Sequence, residues 1–493
     1  MSYILSIDQG TTGTTAVLIN ADSLEFIDKV NCEFTQHFPK PGWVEHDLND
    51  IWNTIKRTIT DVLTKNSISS KDIKCIGITN QRETTCAFNK AGQPLAKAIV
   101  WQDRRTSSFC ESLSSKENYI KEKTGLKIDS YFSGTKMRWL LNHNDAVKMA
   151  SKNDDLLFGT IDTFILYKLT GNTSHKTEAS NASRTLLMDL KTCQWDNELL
   201  ELFEVPKTTL PSICDSFSNF GHTQGLDFLD DGIQISGILG DQQSALFGQA
   251  GLTKGDMKCT YGTGAFMLLN TGNEIKYSNN GLLTTVAYKE NGKAYYALEG
   301  STYICGAAVQ WLRDNLHLFK NSSDIEGLAA QVKDLSQMEH VMFLPFFTGI
   351  GSPQWNSEAK AAIVGLTRDT SDKHIARACL DGMCLSINDL ITAMSADTGH
   401  KIDELRVDGG AVANDLLMTI QATVSDLKII RPRIIETTAY GAALAAAIGS
   451  KIIDKSKVLD MWKEDKFFQP KADEIEHYKM KKEKWSKIIK TIY

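Results

Sequence analysis

The chain has 493 residues, with 54 Lys and Arg against 60 Asp and Glu, a net charge of −6 and 42% hydrophobic residues. That length and apolar share exclude a small module, a disordered tail and a collagen-like repeat, and at roughly 150 residues per domain they predict two or three domains. An acidic balance argues against a surface built to neutralise a nucleic-acid backbone, so no nucleic-acid partner is expected. Small anions stay open, because backbone amides and a metal bind phosphate without a net positive protein.

In chain order, the first element is a short apolar strand, Tyr3 to Ile7, which runs into Asp8-Gln9-Gly10-Thr11-Thr12-Gly13-Thr14-Thr15 and a second strand, Ala16 to Ile19. This pattern reads as a hairpin whose tip presents amides and hydroxyls. Beyond the Pro39-Lys40-Pro41-Gly42 turn, Leu48, Ile51, Trp52, Ile55, Ile59, Val62 and Leu63 repeat at helical spacing behind the candidate cap Asp47, which predicts a core-facing helix. Strands at Ile73 to Ile78 and Ala98 to Trp101 lead into the polar runs Thr79 to Thr85 and Gln102 to Arg105. Open α/β sheets place ligands at such strand ends.

Halfway along, the opening pattern restarts: Met257 to Tyr261, then Gly262-Thr263-Gly264, then Phe266 to Leu269. The restart suggests two related halves divided near Gly251 to Gly255, an N-terminal domain over 1–251 and a C-terminal domain over 252–493. A third Gly-rich loop, Asp408-Gly409-Gly410, follows Leu405 to Val407, and a helix is expected from Ala411 through Leu416, Leu417 and Ile420. Near the end, Ile475, Tyr478, Trp485, Ile489 and Ile492 share one helical face among lysines mixed with acids. Packing against the body is expected there rather than a membrane-surface helix. Ten cysteines stand singly, without a Cys-x-x-Cys pair or zinc spacing, and read as reduced thiols. The start lacks the charged and apolar regions of a signal peptide, and no apolar run approaches the ~18 residues of a membrane span, so a cytoplasmic protein is expected.

Gly-rich turns after apolar strands can wrap amides around a polyphosphate, since Gly lets the backbone approach closely. None of the three fits G-x-x-x-x-G-K-[ST] or a G-x-G-x-x-G that opens a helix, and the protein-kinase catalytic loop is absent. The run Ser6 to Thr15, with Thr260 to Gly264 and Val407 to Asn414, resembles the two phosphate loops and the adenosine loop of the actin, Hsp70 and sugar-kinase superfamily. Tyr131 to Trp139 and the segment around Gly365-Leu366 resemble the two signatures of the FGGY carbohydrate kinases. Pro39 to Asp47, Asn80 to Thr85, Gly240 to Gln243 and Asp408 to Asn414 are similar to the glycerol-specific members of that family.

The resemblance covers about residues 3 to 449. It implies an α/β fold of two ribonuclease H-like, actin-type ATPase domains around a central cleft, assembled as a homo-oligomer. It implies ATP and Mg2+ as cofactors and glycerol as acceptor, with sn-glycerol 3-phosphate feeding glycerol catabolism and glycerolipid synthesis. Carried over residue by residue, it makes Asp241 the catalytic base and Asp8 and Asp241 the magnesium-side carboxylates. Arg82, Glu83, Tyr131, Asp241 and Gln242 become the polar contacts to glycerol, with Trp101 and Phe266 beside its carbons. Thr11, Thr12, Gly13 and Thr263 fall near the phosphates, and Gly306, Gln310, Gly410 and Asn414 near adenosine. Taken locally, Asp241 is an acid in a turn, Arg82 and Glu83 a solvated charge pair, Trp101 and Phe266 core, and Gly306 equally a packing glycine. One departure concerns Thr15, where many relatives carry Arg, which predicts weaker binding of the transferring phosphoryl group. Ser130 and Tyr440 are lesser departures of shape. Two other readings stand beside this one: a kinase for another polyol or a ketopentose, and a chaperone-like ATPase with protein partners, against which the Arg82-Glu83 and Asp241-Gln242 pairs argue.

Overall fold

A computed structural model describes residues 1–399 and 401–493. Strands β1 (Tyr3–Gln9) and β2 (Gly13–Asn20) pair antiparallel from Tyr3 opposite Asn20 to Gln9 opposite Thr14, as the opening hairpin predicts. With β3 (Phe26–Glu33), β4 (Ile73–Asn80), β5 (Phe217–His222) and β6 (Gln234–Gly240) they form a sheet in the order β5-β6-β4-β1-β2-β3. The contacts β1 to β4 and β4 to β6 are parallel and the rest antiparallel.

Helix α1 (Leu48–Lys65) buries Leu48, Ile51, Ile55, Ile59 and Val62 against this sheet, and Asp47 caps it by accepting from the Asn49 amide at 2.9 Å. Helix α2 (Ser133–His143) lies in the insertion between β4 and β5, and α3 (Asp241–Gly248) leaves the end of β6. The strand expected over Ala98 to Trp101 stops at Ile99, because the chain turns there: the Asp103 amide returns to the Val100 carbonyl at 3.0 Å.

The second half repeats the plan. Strands β7 (Met257–Tyr261), β8 (Ala265–Gly272), β9 (Leu283–Glu290), β10 (Lys293–Thr302), β11 (Glu404–Asp408), β12 (Lys428–Pro432) and β13 (Glu464–Phe468) run in the order β9-β10-β8-β7-β11-β12-β13. Remove the edge strand β9, and order and orientation match the first sheet: β7 to β11 and β11 to β12 are parallel, the other contacts antiparallel. The two matching sheets lie on either side of residues 251–255.

Around the second sheet pack α4 (Gly306–Asp314), α5 (Asp372–Thr398) and α6 (Asp415–Ser425). The regular turns of α6 begin later than Ala411, because Gly410–Ala413 is a 3-10 turn and Asn414 is the cap, accepting from the Leu417 amide. Helix α7 (Thr437–Gly449) comes from the second half yet packs on the first sheet. Gly77 and Gly237 permit that approach, since a Cβ on either would lie 2.2 Å from the backbone of Ala442 or Ala446. In return α3 packs on β7, β8 and β9, so each half lends a helix to the other. An apolar seam of Val17, Leu239 and Phe247 with Leu268, Tyr288 and Leu444 joins the halves.

The last helix, α8 (Ile475–Ile492), buries Tyr478, Trp485 and Ile489, as its periodicity predicts; Ile475 and Ile492, at its ends, remain exposed. All ten cysteines are free thiols, buried except for the half-buried Cys32 and Cys214. Among the described residues no helix is long and apolar enough to cross a membrane.

Candidate active site

The polar run after β4 closes at once into a three-residue turn, in which the Thr84 amide donates to the Arg82 carbonyl at 2.7 Å. Glu83 at its centre has φ 60°, a left-handed conformation that costs a non-glycine residue about 1–3 kcal/mol and persists only where the surroundings enforce it. The Ser133 hydroxyl, at the start of α2, holds the Glu83 carbonyl at 2.9 Å. The turn sends two consecutive charged side chains inward, and both Arg82 and Glu83 are buried.

Asp241 opens α3, where the helix N-terminus favours a negative charge. Its Oδ1 accepts from the Gln242 amide at 2.7 Å and lies 3.0 Å from Arg82 Nε. The Arg82 Nε–H is turned away from that oxygen, and among the described residues it has no hydrogen-bond partner. The forked end of the guanidinium is fully committed: Nη1 donates to Glu299 Oε2 at 2.5 Å and Nη2 to Glu299 Oε1 at 2.9 Å. Arg184 completes the network, donating from Nε to Glu83 Oε1 at 2.6 Å and from Nη2 to Glu299 Oε1 at 2.9 Å.

Burial pushes the Glu299 carboxyl up, but Arg184 and Arg82 outweigh it and hold the group below the usual range. For Glu83 burial wins over the same two arginines and raises it. Burial opposes the charge on Arg82, yet Glu299, Glu83 and Asp241 together raise its pKa well above the ordinary value. The cluster is thus a buried, mutually neutralised set, the condition under which charges tolerate removal from water.

Aromatic rings wall this polar patch. Trp101 meets Tyr131 edge-on with ring centres 5.6 Å apart, and Phe266 of the second half at 6.1 Å. The Trp101 indole N–H donates to Thr11 Oγ1 at 2.9 Å, which fastens the ring to the first hairpin turn. Tyr131 is set by the Lys136 ammonium on its carbonyl at 2.6 Å, and burial lowers that lysine's pKa to about 7. Gln242 comes to the same region with its side-chain oxygen already engaged, accepting from Lys258 Nζ at 2.5 Å, so its amide N–H groups are what it can offer. The structure therefore brings Arg82, Glu83, Trp101, Tyr131, Asp241, Gln242 and Phe266 together. It adds Glu299, Arg184 and Lys258, which the motifs did not point to.

Asp8, half-buried at the end of β1, is pushed up to about 8, first by burial and then by the Asp241 and Glu436 carboxylates, with Lys29 opposing. Lys29 is itself paired with Glu436. Among the described residues no cluster of three or more His, Cys, Asp or Glu is placed to hold a metal unaided. A magnesium ion needs only one or two protein carboxylates when phosphate and water supply the rest, and a half-buried acid that feels the charge of another acid suits such an ion. Thr15, one strand over, accepts from Asn31 Nδ2 at 2.9 Å.

Across the cleft lies a cavity of ≈ 330 Å³ whose lining includes Thr263, Gly306, Gln310, Gly410 and Asn414, within the range of small-molecule sites. It also takes in Tyr261, Met383 and Leu417, which make its walls largely apolar. Gly306 lines the cavity and is also tightly packed: a Cβ there would stand 2.7 Å from the Gly262 carbonyl, which accepts the Gly306 amide at 2.9 Å. Asn414 lines the cavity while its side-chain oxygen caps α6. Thr12 and Thr263 sit exposed on the two hairpin turns, with Gly13 buried beneath the first.

Residues 3–248 match the N-terminal domain, and residues 257–450 the C-terminal domain, of the FGGY family of carbohydrate kinases. A glycerol kinase of Myxococcus xanthus is 49% identical over 475 residues, 95% of each chain, and one of Staphylococcus epidermidis is 46% identical over 99% of this chain and 98% of its own. Among solved structures, a glycerol kinase of Plasmodium falciparum with ADP superposes with a TM-score of 0.90 at 36% identity, covering 100% of this chain and 98% of that one. A xylulose kinase of Lactobacillus acidophilus reaches 0.88 at 22% identity with the same coverage, which speaks for the fold alone.

Proposed function

Since the chain belongs to the FGGY family of carbohydrate kinases, we propose that it transfers the terminal phosphoryl group of ATP to a terminal hydroxyl of glycerol, giving sn-glycerol 3-phosphate and ADP. The observation that carries this reading is the placement of Asp241 beside the Arg82-Glu83 turn, with Trp101, Tyr131 and Phe266 as walls. Glycerol presents three hydroxyls on a short apolar frame, and a site that pairs each hydroxyl rejects analogues lacking one, because a buried polar group would be left unpaired. The names of the relatives point to the same acceptor.

In this mechanism glycerol lies between the aromatic rings, with Glu83 accepting from a hydroxyl and the side edge of Arg82 donating to one. Asp241 accepts the proton of the attacking hydroxyl as its oxygen forms the new bond to the γ-phosphorus and the bond from that phosphorus to the β-bridging oxygen breaks. A carboxylate suffices, because phosphoryl transfer has a loose transition state in which the proton leaves late. Amides and hydroxyls of Thr11, Thr12, Gly13 and Thr263 cradle the phosphates, while the apolar cavity around Gly306, Gln310, Gly410 and Asn414 takes the nucleoside. A magnesium ion held on the Asp8 side, with Asp241 nearby, would neutralise charge on the phosphate oxygens. Approach of the two halves excludes water and so guards ATP against hydrolysis.

The test is an ADP-release assay of the purified chain with ATP and Mg2+, run with glycerol, other polyols and ketopentoses. Glycerol is expected to give the highest kcat/KM. ADP release that glycerol does not raise above background would defeat the reading, and equal rates with and without every polyol would favour the chaperone-like ATPase.

A further inference from the structure

Arg82 offers two distinct faces. Its forked end, Nη1 and Nη2, is bound to Glu299, and on its side edge Nε lies 3.0 Å from Asp241 Oδ1 with its N–H unpartnered among the described residues. Glu299 belongs to β10 of the other half, 217 positions away, and is 1% exposed. We infer that Glu299 is a positioning residue for the transfer: by taking the fork of Arg82 from across the cleft, it keeps the side edge of that guanidinium for the acceptor and keeps the fork off the Asp241 carboxylate. The inference rests on the reading of this cleft as a polyol phosphorylation site.

Charge and geometry together lead there. A guanidinium makes its strongest contact as a two-pronged pair with a carboxylate. Without Glu299, the carboxylates left near Arg82 are Asp241, 3.0 Å from Nε, and Glu83, 4.0 Å from Nε. Arg82 would then swing its fork onto one of them, tying up either the oxygen that receives the proton or a contact to the acceptor. Arg184 braces Glu299 from the far side and reaches Glu83 with its own Nε, so one carboxylate orders both charged residues of the strained turn. Two buried N–H groups, Arg82 Nε and Arg184 Nη1, have no hydrogen-bond partner among the described residues, which leaves donors ready beside the aromatic walls.

Placement in the fold sharpens the point. Glu299 stands opposite Leu268 on β8, and Phe266 opposite Ser301 on β10, so the paired strands that supply one aromatic wall also supply the counter-ion for Arg82. Any movement of the second half toward the first carries the ring and the carboxylate as one piece. The orientation of Arg82 is thereby linked to the approach of the two halves.

A role confined to holding the halves together predicts a different outcome, so the experiment separates the two. In the full-length chain, Glu299→Gln is expected to lower kcat by about 10- to 100-fold, the value of one or two hydrogen bonds between charged partners. KM for glycerol should rise, with the affinity for ADP, measured by calorimetry, unchanged. Glu299→Asp keeps the charge and should recover part of the lost kcat. Wild-type kcat and glycerol KM in Glu299→Gln would overturn the inference, as would a lower melting temperature and weaker ADP binding with kcat intact. If Glu299→Gln does not fold, Glu299→Asp decides alone: reduced kcat at a wild-type melting temperature supports the role, and wild-type kcat removes it. The unmodified enzyme tests the substrate reading separately. Should another polyol prove to be the acceptor, the same kinetic split is read with that polyol.

Discussion

The two halves share strand order and orientation, yet they present opposite chemistry to the cleft. Their hairpins align pair by pair: Gln9 opposite Thr14 matches Tyr261 opposite Ala265, so Asp8 and Thr15 in the first correspond to Thr260 and Phe266 in the second. Where the first half has an acid facing a hydroxyl, the second has a hydroxyl facing a ring. Strand β6 of the first sheet ends at Gly240, directly before Asp241, and the matching strand β12 of the second ends at Pro432, with no carboxylate until Glu436. The difference teaches how one topology was divided between two tasks. Under the proposed function, bond-making would use the dry, mutually paired charges that the first half gathers around Arg82 with Glu299 lent by the second, and the nucleoside would use the largely apolar cavity that the second half lines.

The sharpest break of that division is Asp241→Asn. If the first half carries the chemistry, kcat should fall by about 10²- to 10⁴-fold, the usual worth of a positioned base, while glycerol and ADP still bind by calorimetry. Substantial turnover in this variant would take the role of base away from Asp241. A milder break strikes the other half. In Gly306→Ala the added methyl would meet the Gly262 carbonyl at 2.7 Å, and neither backbone can yield cheaply. ADP affinity and KM for ATP should worsen by about tenfold, the cost of a contact worth near 1.4 kcal/mol, with KM for glycerol little changed. Equal damage to both substrates would mean that the two sites are not separable in this way.

Much of this was legible along the chain, and the exceptions have a common cause. Both hairpins, the Asp47-capped helix and the buried face of α8 follow from local alternation, capping and 3.6-residue periodicity, and the structure places them where those rules put them. The motif residues proposed for the acceptor site also converge. Glu299 and Arg184 stayed hidden because their partners lie 217 and 101 positions away, and nothing local sets such a pairing. A trace existed all the same: Glu299 is a lone charge in the apolar strand Ala297-Leu298-Glu299-Gly300, and a charge at a buried strand position requires a partner. The exchange of α3 and α7 between the halves left a fainter sign, glycines Gly77 and Gly237 in strands and an alanine-rich helix, whose match appears only when the two are brought together.

Thr15 tests the smallest difference between the hairpins. Its counterpart Phe266 reaches Trp101, whereas Thr15 spends its hydroxyl on Asn31. Thr15→Arg would place a guanidinium on the strand beside Asp8, where it can reach a transferring phosphoryl group with charge-assisted hydrogen bonds. The gain has a limit set by the neighbours. Asp8 and Glu436 both compete for a new cation, and Lys29 already pairs with Glu436. We therefore expect kcat/KM to rise by about three- to tenfold, the worth of roughly one net hydrogen bond, with most of the change in kcat and tighter retention of ADP with phosphate analogues. An unchanged or lower kcat/KM for both substrates would mean that this hairpin positions phosphate through its amides and hydroxyls alone, the role proposed for Thr263 in the second hairpin.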